Sequence, residues 1–195
     1  MRASGAVLYR LVAGAALVAG LIVAAGCDTP RAPDPVDPVP RETDLQASPR
    51  EELNPEVARW LAGLRAATAA FHDVATAARA GWSARITDCM ALPDSGGMGF
   101  HYANNGLIDG TLQERKPELL VYAPRRDGSL ALVAVEYIVP FAVRPADGPP
   151  PVLHGIPLHR NDVFGLWVLH AWVWKHNPAG IFADWNPDVS CAFAR

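Results

Sequence analysis

Hydrophobic residues recur every three or four positions between residues 55 and 80. The stripe comprises Val57, Trp60, Leu61, Leu64, Ala67, Phe71, Val74, Ala75 and Ala78. At 3.6 residues per turn this spacing places one apolar face along a helix. Asn54 is a good N-cap, Pro55 suits the first helical position, and Gly81 is a natural C-terminal stop. The pattern therefore predicts one continuous helix over 55–80.

Apolar runs of a different kind follow in the second half of the chain. Residues 118–124 and 130–140 are almost wholly apolar, and the intervening Asp127-Gly128 pair is a strong hairpin signal. Residues 165–176 are rich in β-branched and aromatic side chains and predict a third strand. A helix is the alternative for this segment, and Asn177-Pro178 would end either element. The segment 86–110 is rich in Gly, Asn and Asp and predicts a loop with little regular structure.

These elements together predict a single α+β domain. One long N-terminal helix would pack on a small antiparallel sheet, and the rest of the domain would be rich in loops. Residues 55–195 would form this domain, which is long enough for one hydrophobic core.

The N-terminus has the pattern of a bacterial export signal. Arg2 and Arg10 flank an uncharged run over 11–25, whose length suits a signal peptide and is short for a membrane span. Small residues precede Cys27 in "VAAGC", which resembles the lipobox of bacterial lipoproteins, although Ala24 stands where Leu is usual. The resemblance implies cleavage after residue 26 and a lipid on Cys27. An ordinary secretory signal or an uncleaved anchor is the alternative.

Composition predicts a tether before the domain and argues against nucleic acid as a partner. Residues 27–54 are rich in proline and predict a disordered tether between the lipid and the domain. The protein would then be exported and anchored to the cell envelope, on the periplasmic or outer face of a bacterial membrane. The chain's net charge is −3, and removal of Arg2 and Arg10 with the signal makes it −5. With no basic run, nucleic acid is not an expected partner.

Two cysteines remain if Cys27 carries lipid. An exported chain meets an oxidising compartment, so Cys89 and Cys191 are expected to form a disulfide. Two free thiols or two thiolate ligands are the alternatives. The chain lacks the common signatures of hydrolases, metalloproteases, dithiol redox enzymes and nucleotide-binding proteins. Whether it is an enzyme is left open by the sequence.

Three polar residues stand where the pattern predicts apolar surroundings. Glu136 is the only charged residue between Leu130 and Phe141, and His170 lies among aromatic residues of the third strand. His101 follows the glycine cluster of "GGMGFHY", which permits a tight backbone path. Two histidines and a carboxylate suit Zn, Cu, Fe or Mn. The alternatives are an edge position or a structural pair with an arginine or a tyrosine for Glu136, a core role for His170, and a surface loop for His101.

Aromatic residues near the chain's end suggest a ligand pocket. Alternation along a strand would put His170, Trp172 and Trp174 on one face. With Tyr102 and Asn104 of the 96–109 segment, they would line a hydrophobic pocket for a small ligand. Simple core filling is the alternative for the tryptophans. The other histidines are predicted to lie on loops or beside the helix, and they are His72, His154, His159 and His176.

Several phrases of the body resemble a group of exported bacterial proteins of unknown function. They are "FHDVATAARAGW", "GGMGFHYANNGLIDG", "KPELLVYAP", "LVAVEYIVP" and "NPAGIFADWNPDVSC". The resemblance covers most of 70–191 and implies no activity.

Three functional hypotheses follow from the sequence. The first is a lipid-anchored extracytoplasmic domain that binds a metal ion or small ligand through His101, Glu136 and His170. The second is an envelope interaction or structural lipoprotein without chemistry, whose partner would be another envelope protein. The third is an enzyme that uses His101 with Glu136 or Asp109 as an acid–base pair.

Overall fold

The computed structural model describes residues 53–195. The predicted signal segment, the lipidation site Cys27 and the predicted tether up to residue 52 lie outside the described residues. Within 53–195, no helix is long and apolar enough to cross a membrane.

The predicted single helix over 55–80 is wrong, because the segment consists of three helical pieces. Helix α1 spans Pro55–Thr68, a 3₁₀ turn spans Ala69–His72, and helix α2 spans Val74–Arg79. Asp73 is extended, and its side chain accepts a hydrogen bond from Thr76 N, which starts a new helix at that point. A short polar side chain that caps the following helix favours a break at its own position. The break occurs here even though the hydrophobic stripe continues past Asp73.

The strands form a small antiparallel sheet, as predicted. They are β1 (Ala84–Arg85), β2 (Met90–Leu92), β3 (Gly96–Ala103), β4 (Leu119–Pro124), β5 (Leu130–Pro140), β8 (His159–Asn161) and β9 (Leu166–Ala171). Their order across the sheet is β1-β3-β4-β5-β9-β8, and β2 pairs with β3. A separate two-stranded ribbon joins β6 (Val152–Leu153) to β7 (Ile156–Pro157). The long strand β5 lies in the middle, as its nearly unbroken apolar run indicates.

The two faces of the sheet have different neighbours. On one face the sheet packs with the helical segment in the largest hydrophobic cluster, which includes Leu64 of α1, Leu120 of β4 and Tyr137 of β5. The other face carries two smaller clusters. One is centred on Val121 and Trp172, and the other on Leu119, Ile138 and Val168. The fold is therefore α+β, with the sheet's second face covered by loops rather than by a helix.

The glycine-rich segment predicted as a loop is a strand. Residues 96–103 form β3, which pairs with β4 over four residues and carries β2 on its other side. A side chain at Gly96 would clash with the backbone of Asn186, and one at Gly99 would clash with the backbone of Tyr122. The glycines thus allow close approach of neighbouring backbone rather than a flexible loop.

The third predicted strand is shorter than residues 165–176. Strand β9 ends at Ala171, and Trp172 N donates to Ile181 O of the following loop instead of to a neighbouring strand. The predicted disulfide is confirmed, since Cys89 and Cys191 are bonded across a sequence separation of 102 residues. This bond ties the C-terminal tail to the segment just before β2.

Candidate metal centre

The three polar residues singled out in the sequence come from three strands of one sheet. His101 lies on β3, Glu136 on β5 and His170 on β9, and Glu136 and His170 are directly paired across their strands. All three side chains lie on the sheet face opposite the helical segment, between the two smaller hydrophobic clusters. They are almost completely buried, with 3%, 5% and 1% of their surfaces exposed. The edge position considered for Glu136 is excluded, because β5 has a partner on each side.

The donor atoms of these residues converge. His101 Nε2 lies 3.5 Å from His170 Nε2 and 3.4 Å from Glu136 Oε2. His170 Nε2 lies 3.7 Å from Glu136 Oε1. Ligands bound at about 2.05 Å to a tetrahedral ion stand about 3.3 Å apart, whereas octahedral neighbours stand about 2.9 Å apart. The three residues are therefore close enough to bind a metal ion.

The Nδ1 atom of each imidazole, which points away from the centre, has its own hydrogen-bond partner. His101 Nδ1 lies 2.9 Å from Thr87 Oγ1, and His170 Nδ1 lies 3.3 Å from Asp184 Oδ1. If each Nδ1–H donates to its oxygen, each Nε2 presents a lone pair to the centre. Metal-binding histidines in proteins are commonly oriented in this way, by a carboxylate or another acceptor behind the ring.

Burial and mutual proximity shift the pKa values of the cluster. Burial, with a contribution from His170, lowers the pKa of His101 to about 3, so its imidazole is neutral. Burial raises the pKa of Glu136 despite the attraction of His170. The carboxylates of Glu136 and Asp184 raise the pKa of His170 against the opposing effect of its burial. Glu136 and His170 therefore titrate as a coupled pair rather than as separate groups.

A cavity of about 290 Å³ opens beside the centre, and all three residues line it. Most of its wall is apolar, formed by Ile86, Met90, Met98, Leu119, Leu166 and Val168. Thr87, Asn161 and Asp184 supply the polar remainder, together with the indole of Trp185. At its solvent side Val163 and Phe164 are exposed by 86% and 51%. The arrangement leaves room for a small molecule next to the donor atoms.

The predicted pocket residues need correction, because none of the four lines this cavity. Tyr102 packs edge-on against Tyr122 on the helix side of the sheet. Asn104 caps a 3₁₀ turn at 105–107. Trp174 donates to Thr68 Oγ1 of α1. Trp172 stacks beside His170. Its side chain is nevertheless part of a hydrophobic cluster, and its indole N–H donates to Ala183 O.

The other histidines have separate environments. His72 contacts the edge of the Trp174 ring, His154 lies between the carboxylates of Glu56 and Glu114, and His176 is exposed. His159 differs from these, because its Nδ1 lies 3.3 Å from the same Asp184 oxygen that holds His170. Asp109, the alternative acid–base partner, is not among the residues that line the cavity.

Sequence reasoning missed Asp184 and Thr87. Asp184 lies in the turn-rich tail, and its carboxylate accepts from His170 and His159 while these histidines lower its pKa against the effect of burial. Thr87 precedes the disulfide cysteine by two residues and its hydroxyl also accepts from His101 N. The disulfide was the available signal, since it predicts that the tail and the 87–92 segment meet.

Comparisons with known proteins add no relative. No family model, no curated protein and no solved structure matches the chain. The function of the protein is therefore inferred from the geometry of the site.

Proposed function

We propose that this protein binds one divalent transition-metal ion through His101, Glu136 and His170. The supporting observation is that two imidazole nitrogens and a carboxylate oxygen, each able to offer a lone pair, converge in a buried place. Such a group of atoms is stable only if a cation or a proton lies between them. A metal ion satisfies all three, whereas a single proton satisfies two.

Zinc is the ion that we favour. The donor separations of 3.4–3.7 Å are closer to those of a tetrahedral ion than to those of an octahedral one. Two imidazoles and one carboxylate leave one tetrahedral position, and the adjoining cavity could fill that position with water or a ligand. A bound Zn²⁺ would supply Lewis acidity at this position. The chain's own residues would orient the imidazoles and exclude bulk water.

We also propose that the domain works outside the cytoplasm, held by a lipid on Cys27. The disulfide between Cys89 and Cys191 supports this proposal, because such bonds persist in oxidising compartments. The pattern over residues 1–27 supports the lipid anchor. Mass spectrometry of the protein from a membrane fraction tests it, since a diacylglyceryl group on Cys27 adds a fixed mass that the Cys27→Ala variant lacks.

Elemental analysis tests the metal proposal. The protein is produced in an oxidising compartment, purified without a chelating resin and equilibrated with Zn²⁺. We expect one ion per chain in the wild type, and a loss of this ion in His101→Ala and His170→Ala. The matched control is His176→Ala, which removes an exposed histidine outside the cluster. Metal that persists in both cluster variants would place the binding site elsewhere.

A second function is favoured by one specific observation. His101 Nε2 lies 3.4 Å from Glu136 beside a cavity, which is the arrangement of an acid–base pair. This reading requires no ion. A wild type that stays metal-free at millimolar Zn²⁺ would favour it over the metal centre, or else favour an envelope interaction role in which the cluster is only structural.

A further inference from the structure

The cavity beside the metal centre has mainly apolar walls. The apolar side chains that line it include the flexible thioethers of Met90 and Met98. Methionine adapts its shape to an apolar guest at little cost. A cavity built only to admit water to a metal would not need such a wall. The wall therefore indicates a ligand with an apolar body.

The volume limits the size of this body. An apolar cavity of about 150 Å³ accommodates one benzene molecule. The present cavity, of about 290 Å³, has roughly twice this volume. It therefore fits a compact body of about ten non-hydrogen atoms.

Charge limits the group that would face the metal. No lysine or arginine lies among the described residues that line the cavity, whereas Glu136 and Asp184 both do. An anionic group would therefore find no positive partner there in the metal-free protein. A divalent ion bound to two neutral imidazoles and one carboxylate would leave a charge of about +1 at the ion, which the carboxylate of Asp184 reduces to about zero for the cavity as a whole. A carboxylate would therefore be held by coordination to the ion's open position, where its attraction to the ion acts in a site of low dielectric.

We propose that the site takes a small carboxylate-bearing molecule, with the carboxylate on the metal and the apolar body between Met90, Met98 and Phe164. This inference depends on the proposed metal centre. Phe164 marks the entrance, because it is half exposed while the cavity lies behind it. Its backbone N–H donates to Asn161 Oδ1 within the β8–β9 turn, which holds the ring at that place.

The test uses the full protein and calorimetric titration with acetate, butyrate and hexanoate. The protein is prepared with Zn²⁺ and, separately, after removal of metal, and the metal content of each sample is measured first. We expect affinity for the Zn²⁺ form to rise about fourfold with each methylene that leaves water. Metal-free protein should bind hexanoate at least tenfold more weakly. Hexanol and hexylamine, which share the chain length, should bind the Zn²⁺ form more weakly than hexanoate.

Two phenylalanine variants locate the ligand. Phe164→Ala should weaken hexanoate binding severalfold without loss of Zn²⁺. Phe193→Ala should change neither, since Phe193 is similarly exposed but lies against Arg126 and does not line the cavity.

The outcomes separate the two proposals. If the protein binds no Zn²⁺, the metal centre itself is refuted. If Zn²⁺ binds but acetate and hexanoate bind equally well, the apolar body is refuted while the metal centre stands. Preferential binding of hexylamine, or equal binding of hexanoate by both forms, refutes the carboxylate.

Discussion

The two faces of the sheet treat polar groups in opposite ways. On the helix side, each polar tip of a buried aromatic residue donates to a backbone carbonyl: Trp60 and Tyr137 to Glu114 O, and Tyr122 to Phe71 O. On the opposite side, the ring nitrogens of His101 and His170 and the carboxylate of Glu136 face one another instead of backbone groups. The first face pairs its polar tips with the backbone, whereas the second brings together three groups that are close enough to bind a metal ion. A buried polar residue therefore indicates a candidate site when it converges with other metal-binding groups, and burial alone does not.

Metal removal should produce the largest difference between the faces. At a Zn²⁺ concentration 1,000 times the dissociation constant, bound metal stabilises the wild type by about 4 kcal/mol. Urea unfolding with Zn²⁺ and with a chelator measures this gain. Glu136→Leu should abolish the gain, and its metal-free form should be at least as stable as the metal-free wild type, because a buried carboxyl group has been removed. A large loss of stability in the metal-free variant would instead show that Glu136 is a structural partner.

Leu120→Ala should damage the helix side alone. Leu120 is fully buried, and its truncation should lower the free energy of unfolding by about 3 kcal/mol, through lost burial and the cavity left behind. Urea unfolding should show this loss equally with and without Zn²⁺, and the metal content of the folded protein should not change. If the variant also loses its metal, the two faces are not independent.

Glu118 should give the metal-free domain a pH dependence of its own. Its carboxyl is buried and accepts from Ile138 N, and burial raises its pKa to about 8. A raised pKa means that the folded state holds the proton more tightly, so this contribution to stability is present below pH 4.5 and is lost as pH rises through 8. Wild type should lose about 3 kcal/mol more than Glu118→Gln between pH 5 and 8, measured by urea unfolding of the metal-free proteins. Parallel pH curves for the two proteins would contradict this assignment.

Asp184→Asn should weaken metal binding without abolishing it. It weakens the acceptor behind His170, and such a change typically reduces metal affinity 10- to 100-fold, or about 1.4–2.7 kcal/mol. Competition with a chelator of known affinity measures it. The control is Asp147→Asn, an exposed loop residue that does not line the cavity. Equal affinities in wild type and Asp184→Asn would exclude a positioning role for this carboxylate.

The sequence predicted the parts of the fold that repeat a local pattern. The apolar run over 130–140 gave the bounds of β5, and a lone charge within it marked Glu136. His101 and His170 were found by the same contrast between a polar residue and its apolar surroundings. The antiparallel pairing of their strands then brought the three residues together.

Other parts depended on contacts between distant segments and left no local pattern. The glycines of β3 predicted a loop, although their role is to let the backbones of Asn186 and Tyr122 approach the strand. Both of these residues lie in distant parts of the chain, so the local sequence does not indicate this role. Trp172 and Trp174 were assigned to one face because the strand was assumed to continue beyond Ala171. Asp184 sits among ordinary turn residues, and only the folded chain shows that its carboxylate meets two histidines.

The distribution of the centre along the chain determines when it can form during folding. His101 and His170 are separated by 69 residues, and the disulfide beside them joins cysteines 102 residues apart. No single local segment therefore contains the centre, which exists only once β3, β5 and β9 have paired. The proposed metal would accordingly be acquired from the ion pool of the compartment in which the sheet forms. That compartment, as much as the donor atoms, would then decide which ion the protein carries.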